Sequence, residues 1–135
     1  MKSTRAFLLI LPVLLVLCVQ PADAGPSRSG KAIASAKVDT GAAALFSFGG
    51  SMTKSATVSG GGGDVLISFV GRYPKTIDVD QVSVLATARS GAYHVANAFV
   101  QSATPTEIVV GVSTWVSNTL APSSGQAFVA VYLGE

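Results

Sequence analysis

Five side chains of the kinds that recognise small polar ligands fall in two short stretches: Arg89, Tyr93 and His94 in one, Trp115 and Asn118 in the other. Trp115 opens onto a polar segment, Val116 to Gly125. An indole face attracts polarised C–H groups and cations, and the Asn118 amide beside it both donates and accepts hydrogen bonds. The same Trp would also serve to close one end of a β-core. His94 has the parity opposite to Tyr93 and Val95 and so shares a face with Ala96 and Ala98. Small neighbours leave room for a ligand or for a close subunit contact. A neutral imidazole donates one hydrogen bond and accepts another. The competing reading of His94 is a solvated or interface side chain. Arg89 precedes that strand, and its paired N–H groups match vicinal hydroxyls or a carboxylate; as an ordinary turn charge it would do neither.

Other chemistries find less support. With His94 the only histidine and Cys18 the only cysteine, a zinc site built from several His or Cys ligands is excluded. Asp78 and Asp80 alternate with Ile77 and Val79, which reads as a solvated face, and they lack the further oxygen ligands that calcium requires. Asn97 reads as a polar residue at a subunit seam. Gly25-Pro-Ser-Arg-Ser-Gly30-Lys31 resembles part of a phosphate-binding loop, but Ala32 stands where Ser or Thr is needed and no strand precedes it. There is no G-x-S-x-G elbow, and no pair of acids suggests glycoside hydrolysis. The expectation is a protein that is not an enzyme and holds neither metal nor cofactor.

The elements that must position those residues occupy a small chain. Of its 135 residues, Met1 to Arg5 form a basic start, Ala6 to Val19 an apolar run, and Ala22-Asp-Ala24 a small-residue exit. That run is shorter than the roughly 20 residues needed to span a bilayer, so residues 1–24 read as a signal peptide and the product as secreted and extracellular. Residues 25–33 read as a flexible arm and residues 34–135 as one domain. Lys2, Arg5 and Asp23 belong to the leader, which leaves seven basic against six acidic residues in the mature chain. Near-neutrality argues against nucleic acid as a partner, and no second long apolar run argues for membrane insertion. Cys18 lies in the leader, so disulfides are excluded from the domain, and a small domain without them commonly gains stability by oligomerisation.

Short β-branched stretches between turn residues make the domain all-β. The predicted strands are Ala42 to Phe48, Asp64 to Val70, Ile77 to Ala88 with a bulge near Gln81, Ala92 to Gln101, Glu107 to Trp115, and Gln126 to Leu133. Val65, Ile67 and Phe69 share one face, as do Ile108, Val110 and Val112. Ser59 to Gly63 reads as a flexible loop. Six strands imply an antiparallel β-sandwich.

Several motifs in this order resemble the H-type lectin domain of snail agglutinins and slime-mould discoidins. They are Ser35-Ala-Lys-Val-Asp-Thr-Gly41, Ile67-Ser-Phe69, Tyr73-Pro-Lys75, Tyr93-His-Val95, Ser113-Thr-Trp115 and Ala127-Phe-Val-Ala-Val-Tyr132. The resemblance spans about 100 residues. It implies a six-stranded sandwich that assembles as a homotrimer and binds galactose-type sugars, often N-acetylgalactosamine, at clefts between subunits. The implied partners are glycans on cell surfaces or glycoproteins, with roles in agglutination, cell adhesion or innate immunity. His94 falls where the snail proteins place a sugar-contacting arginine, Trp115 on their tryptophan, and Val116 where they have a histidine. Their cysteines fall on Thr40 and Val112, so that disulfide is absent. The expected carbohydrate contacts are His94, Trp115, Asn118, Tyr93 and Arg89. A secreted structural or adhesive sandwich is the alternative, and a small extracellular hydrolase a third.

Overall fold

Apolar residues at every second position of Asp64–Gly71, Glu107–Val116 and Gln126–Leu133 leave each of these segments one apolar face to bury. A computed structural model of the chain describes residues 31–89, 94–116 and 121–134. Among them run eight strands: β1 (Ala34–Asp39), β2 (Ala44–Gly49), β3 (Thr53–Gly61), β4 (Asp64–Gly71), β5 (Val82–Ala88), β6 (His94–Ala103), β7 (Glu107–Val116) and β8 (Gln126–Leu133). They form two four-stranded antiparallel sheets. Sheet A has the order β2-β1-β8-β5, and sheet B the order β3-β4-β7-β6.

The inner faces meet in one core. Sheet A contributes Ala34, Ala36, Val38, Ala127, Val129 and Val131, and sheet B answers with Val65, Ile67, Phe69, Ile108, Val110 and Val112. Each large member of this set is worth roughly 1.5–3 kcal/mol of transfer from water. Tyr73 closes one end, its hydroxyl donating to the Phe69 carbonyl at 3.1 Å and lying 3.0 Å from Thr53 Oγ1.

The all-β class holds, but the described residues contain eight strands where six are predicted. Both additional strands are poor in large apolar residues. β1 buries only Ala34, Ala36 and Val38, and alanine carries little strand signal. β3 is an edge strand whose half-buried aliphatic residues are Ala56 and Val58. The predicted loop Ser59 to Gly63 is also corrected. Ser59, Gly60 and Gly61 pair with Leu66, Val65 and Asp64, leaving Gly62 and Gly63 as a two-residue hairpin turn. Both have positive φ, 69° and 97°, the region in which glycine is unstrained and which such tight hairpins require.

The predicted strand Ile77 to Ala88 with a bulge is in fact a turn followed by a shorter strand. The Ile77 N–H donates to the Pro74 carbonyl, Val79–Gln81 form a 3-10 turn, and β5 begins only at Val82. The Asp78 carboxylate caps that turn by accepting from the Asp80 N–H at 2.9 Å, which removes Asp78 from any strand face. Register shifts occur elsewhere, where β1 passes Phe46, between Thr53 and Ser55, and between Val100 and Ser102.

Candidate functional site

Register brings the ends of the strands to one end of the sandwich. Asp39 pairs with Ala44 and Gln126, and Ala88 with Ala127, so in sheet A the turn after β1, the end of β5 and the start of β8 lie together. In sheet B, Asp64 pairs with Gly61 and Ser113, and Ser113 with Asn97, so the β3–β4 turn, the end of β7 and the start of β6 lie together. Hydrogen bonds join the two ends: Gly63 N–H to the Thr40 carbonyl at 3.0 Å, and Thr114 N–H to the Gly63 carbonyl at 2.8 Å.

Two fully buried threonines complete this junction. Their hydroxyl oxygens lie 2.5 Å apart. Gly125 N–H donates to Thr40 Oγ1 at 3.1 Å, and the Thr114 hydroxyl donates to the Ser123 carbonyl at 2.8 Å. The Thr40 hydroxyl in turn donates to the Gly125 carbonyl at 2.9 Å, so Thr40 both accepts from and donates to the Gly125 backbone while Thr114 holds Ser123. The Gly125 carbonyl also accepts from the Thr40 N–H at 2.8 Å. Thr40 and Val112 are the positions on which the cysteines of the resembled family would fall. Here Thr40 is tied instead to Thr114, the next residue along β7 on the same face as Val112.

The side chains singled out in the sequence take distinct places at this end. Arg89 is exposed just beyond β5, its backbone N–H donating to the Gln126 carbonyl at 2.7 Å. His94 opens β6 opposite Val116, with the inward parity of Ala96 and Ala98. Its Nδ1 is buried and has no hydrogen-bond partner among the described residues; the same holds for Ser123 Oγ. Trp115 has the opposite parity. It pairs with Val95 on the outer face of sheet B, is half-buried, and leaves the inward position to Thr114. A ligand touching both His94 and Trp115 would therefore have to pass over the end of the sheet. Tyr93 and Asn118 lie outside the described residues.

The register also assembles a group that single-sequence reasoning does not. Asp64, Ser113 and Asn97 form one lateral row across β4, β7 and β6 on the outer face of sheet B. Ser113 Oγ donates to Asp64 Oδ1 at 3.0 Å, which orients the carboxylate, and Asn97 is exposed at the end of the row. One row further along, Gly111 sits between Leu66 and Phe99. The Phe99 ring lies against Gly111, where a β-carbon would collide with ring atoms Cε1 and Cζ. On the far side of the polar row stands Trp115. Parity relates residues within one strand only, and the lateral alignment of Asp64, Ser113 and Asn97 depends on pairings between segments distant in sequence.

Burial raises the Tyr73 phenol above its ordinary value, an effect that the Thr53 hydroxyl partly opposes. Among the described residues no three His, Asp or Glu side chains are grouped as metal ligands would be. No helix of the described residues is long and apolar enough to cross a membrane. Comparison with protein-family models, with curated proteins and with solved structures finds no match to this chain.

Proposed function

We propose that the protein is a secreted carbohydrate-binding protein, a lectin of the H-type kind, assembling as a homotrimer and binding glycans through the connected end of its sandwich. The observation that carries this reading is the position of Trp115. Its indole stands half-buried on the outer face of sheet B while Thr114 fills the core, so the largest side chain of the domain is not used to close the sandwich. Arg89 and His94 stand at the same end and supply a guanidinium and an imidazole to hydroxyl-bearing ligands. Galactose and N-acetylgalactosamine are the sugars that the resemblance suggests. Several shallow sites engaging one surface gain avidity of the order of 10²–10⁴ over one.

The test is a glycan array probed with the mature chain at pH 5 and pH 7.5, beside the Trp115→Ala variant. The expected outcome is glycan binding by the wild type, its loss in the variant, and an unchanged circular-dichroism melt. A variant that unfolds would return Trp115 to a structural role. A second reading, a structural or adhesive oligomer without sugar binding, draws on the outer face of sheet A. Phe46 and Leu85 are 52% and 65% exposed there, Phe128 lies between their strands, and the Lys37 ammonium stands 5.7 Å from the Phe46 ring centroid. A wild type that self-associates and ignores the array would decide for this second reading.

A further inference from the structure

We propose that the outer face of sheet B carries an extended glycan subsite, built from Phe99, Gly111, Asp64, Ser113 and Asn97, which continues the Trp115 platform and selects neutral oligosaccharides over single sugars. The inference rests on the carbohydrate-binding reading and adds to it a second place of contact, away from the connecting loops.

Gly111 and Trp115 are four residues apart on β7, about 13 Å along a strand. Phe99, 53% exposed, reaches from β6 across β7 because position 111 has no side chain. Its ring thus covers the strand at one end of the platform while the indole stands at the other. Between them runs the polar row of Asp64, Ser113 and Asn97, which crosses three strands and is about 9.5 Å wide. Two aromatic plates separated by hydrogen-bonding groups match a chain of sugar rings, whose apolar C–H patches alternate with hydroxyls. One ring would not reach both plates.

The row also sets the kind of sugar. Ser113 occupies Asp64 Oδ1, leaving the second carboxylate oxygen to accept from hydroxyls, and Asn97 donates and accepts through its amide. Hydroxyl groups donating to a carboxylate form charge-assisted bonds stronger than neutral ones. The set contains one carboxylate and no cation, so an anionic sugar would meet like charge without a counter-ion.

The test measures binding of free galactose and of neutral galactose-terminated tetrasaccharides, with sialylated counterparts, to wild type, Phe99→Ala, Asp64→Asn and Gly111→Ala. The expected result is unchanged galactose affinity in all three variants, with tetrasaccharide affinity falling roughly tenfold in Phe99→Ala and Asp64→Asn. Gly111→Ala pushes the ring off the strand without removing it, and should lose part of the same gain. Asp64→Asn should narrow the gap between neutral and sialylated ligands. An unchanged ratio of tetrasaccharide to galactose affinity in all three variants overturns the subsite and leaves the lectin reading standing. If Phe99→Ala changes the sedimentation of the protein while the ratio stays constant, the face is an interface between copies and the subsite is likewise refuted. A wild type that binds neither ligand removes the carbohydrate reading itself.

Discussion

Replacing Thr40 by valine keeps the shape of a fully buried side chain and removes one oxygen. That oxygen accepts the Gly125 N–H at 3.1 Å and adjoins the Thr114 hydroxyl. In Thr40→Val the Gly125 N–H, on a buried residue, has no acceptor, and an orphaned buried donor costs about 1–3 kcal/mol. The hydroxyl-to-hydroxyl contact adds about 1 kcal/mol, so the expected destabilisation is about 2–4 kcal/mol. For a domain of this size that lowers the melting temperature by roughly 8–20 °C. Thr114 retains its bond to the Ser123 carbonyl in this variant, so the damage is confined to the Gly125 side. The double variant Thr40→Val/Thr114→Val should cost less than the sum of the singles by about 1 kcal/mol, because each single already removes their shared bond. Urea denaturation of the four proteins measures these quantities, with Thr40→Ser restoring most of the loss. A Thr40→Val variant within about 0.5 kcal/mol of wild type, a change typical of surface sites, would refute the polar junction as a source of stability.

Other expectations follow from single positions. Phe69→Ala, at a site with no exposure, should cost about 3–5 kcal/mol in urea denaturation. Gly62→Ala puts a side chain at φ 69° with open space around it and should cost about 1–2 kcal/mol. Gly63→Ala meets the Ser123 backbone as well and should cost clearly more; equal costs would show that the β7–β8 connection does not rest on Gly63. Tyr73 is a group whose folded pKa lies above its ordinary 10.0. Its contribution is complete below pH 10 and is lost as pH rises through that value toward the folded one. Alkaline titration of stability should therefore show a fall above pH 10 that Tyr73→Phe does not share. Together with the array result for Trp115→Ala, these measurements test both ends of the sandwich.

Where large β-branched and aromatic residues alternate, the fold is legible. The run Val65, Ile67, Phe69 can bury one face only as a strand, and the same holds for Ile108, Val110 and Val112. β1 and β3 escape because Ala34, Ala36 and Ala56 carry almost no pattern, their burial being decided by neighbouring strands rather than by their own hydrophobicity. Gly60 to Gly63 read as flexible because glycine permits many conformations, whereas the ladder with Val65 and Asp64 selects one. At the candidate site, parity groups His94 with Ala96 and Ala98, but which face turns to the core, and the place of Trp115 outside it, are decided by the packing of the two sheets. The row of Asp64, Ser113 and Asn97 stays hidden, because it depends on the register of strands 16 to 49 positions apart in sequence.

Thr114 and Ser123 hold one another twice, through Ser123 N–H to the Thr114 carbonyl and through the Thr114 hydroxyl to the Ser123 carbonyl. The sandwich is therefore closed at the base of this connection, and the β6–β7 ladder is already complete at Val116. Closing a loop of twice the length adds only about 0.6 kcal/mol. Insertions and deletions after position 116 and before position 123 should thus be tolerated in descent, so that relatives of this protein would diverge in the length of that segment while keeping its two anchors. For the protein engineer the same stretch is a cassette into which foreign recognition loops can be grafted.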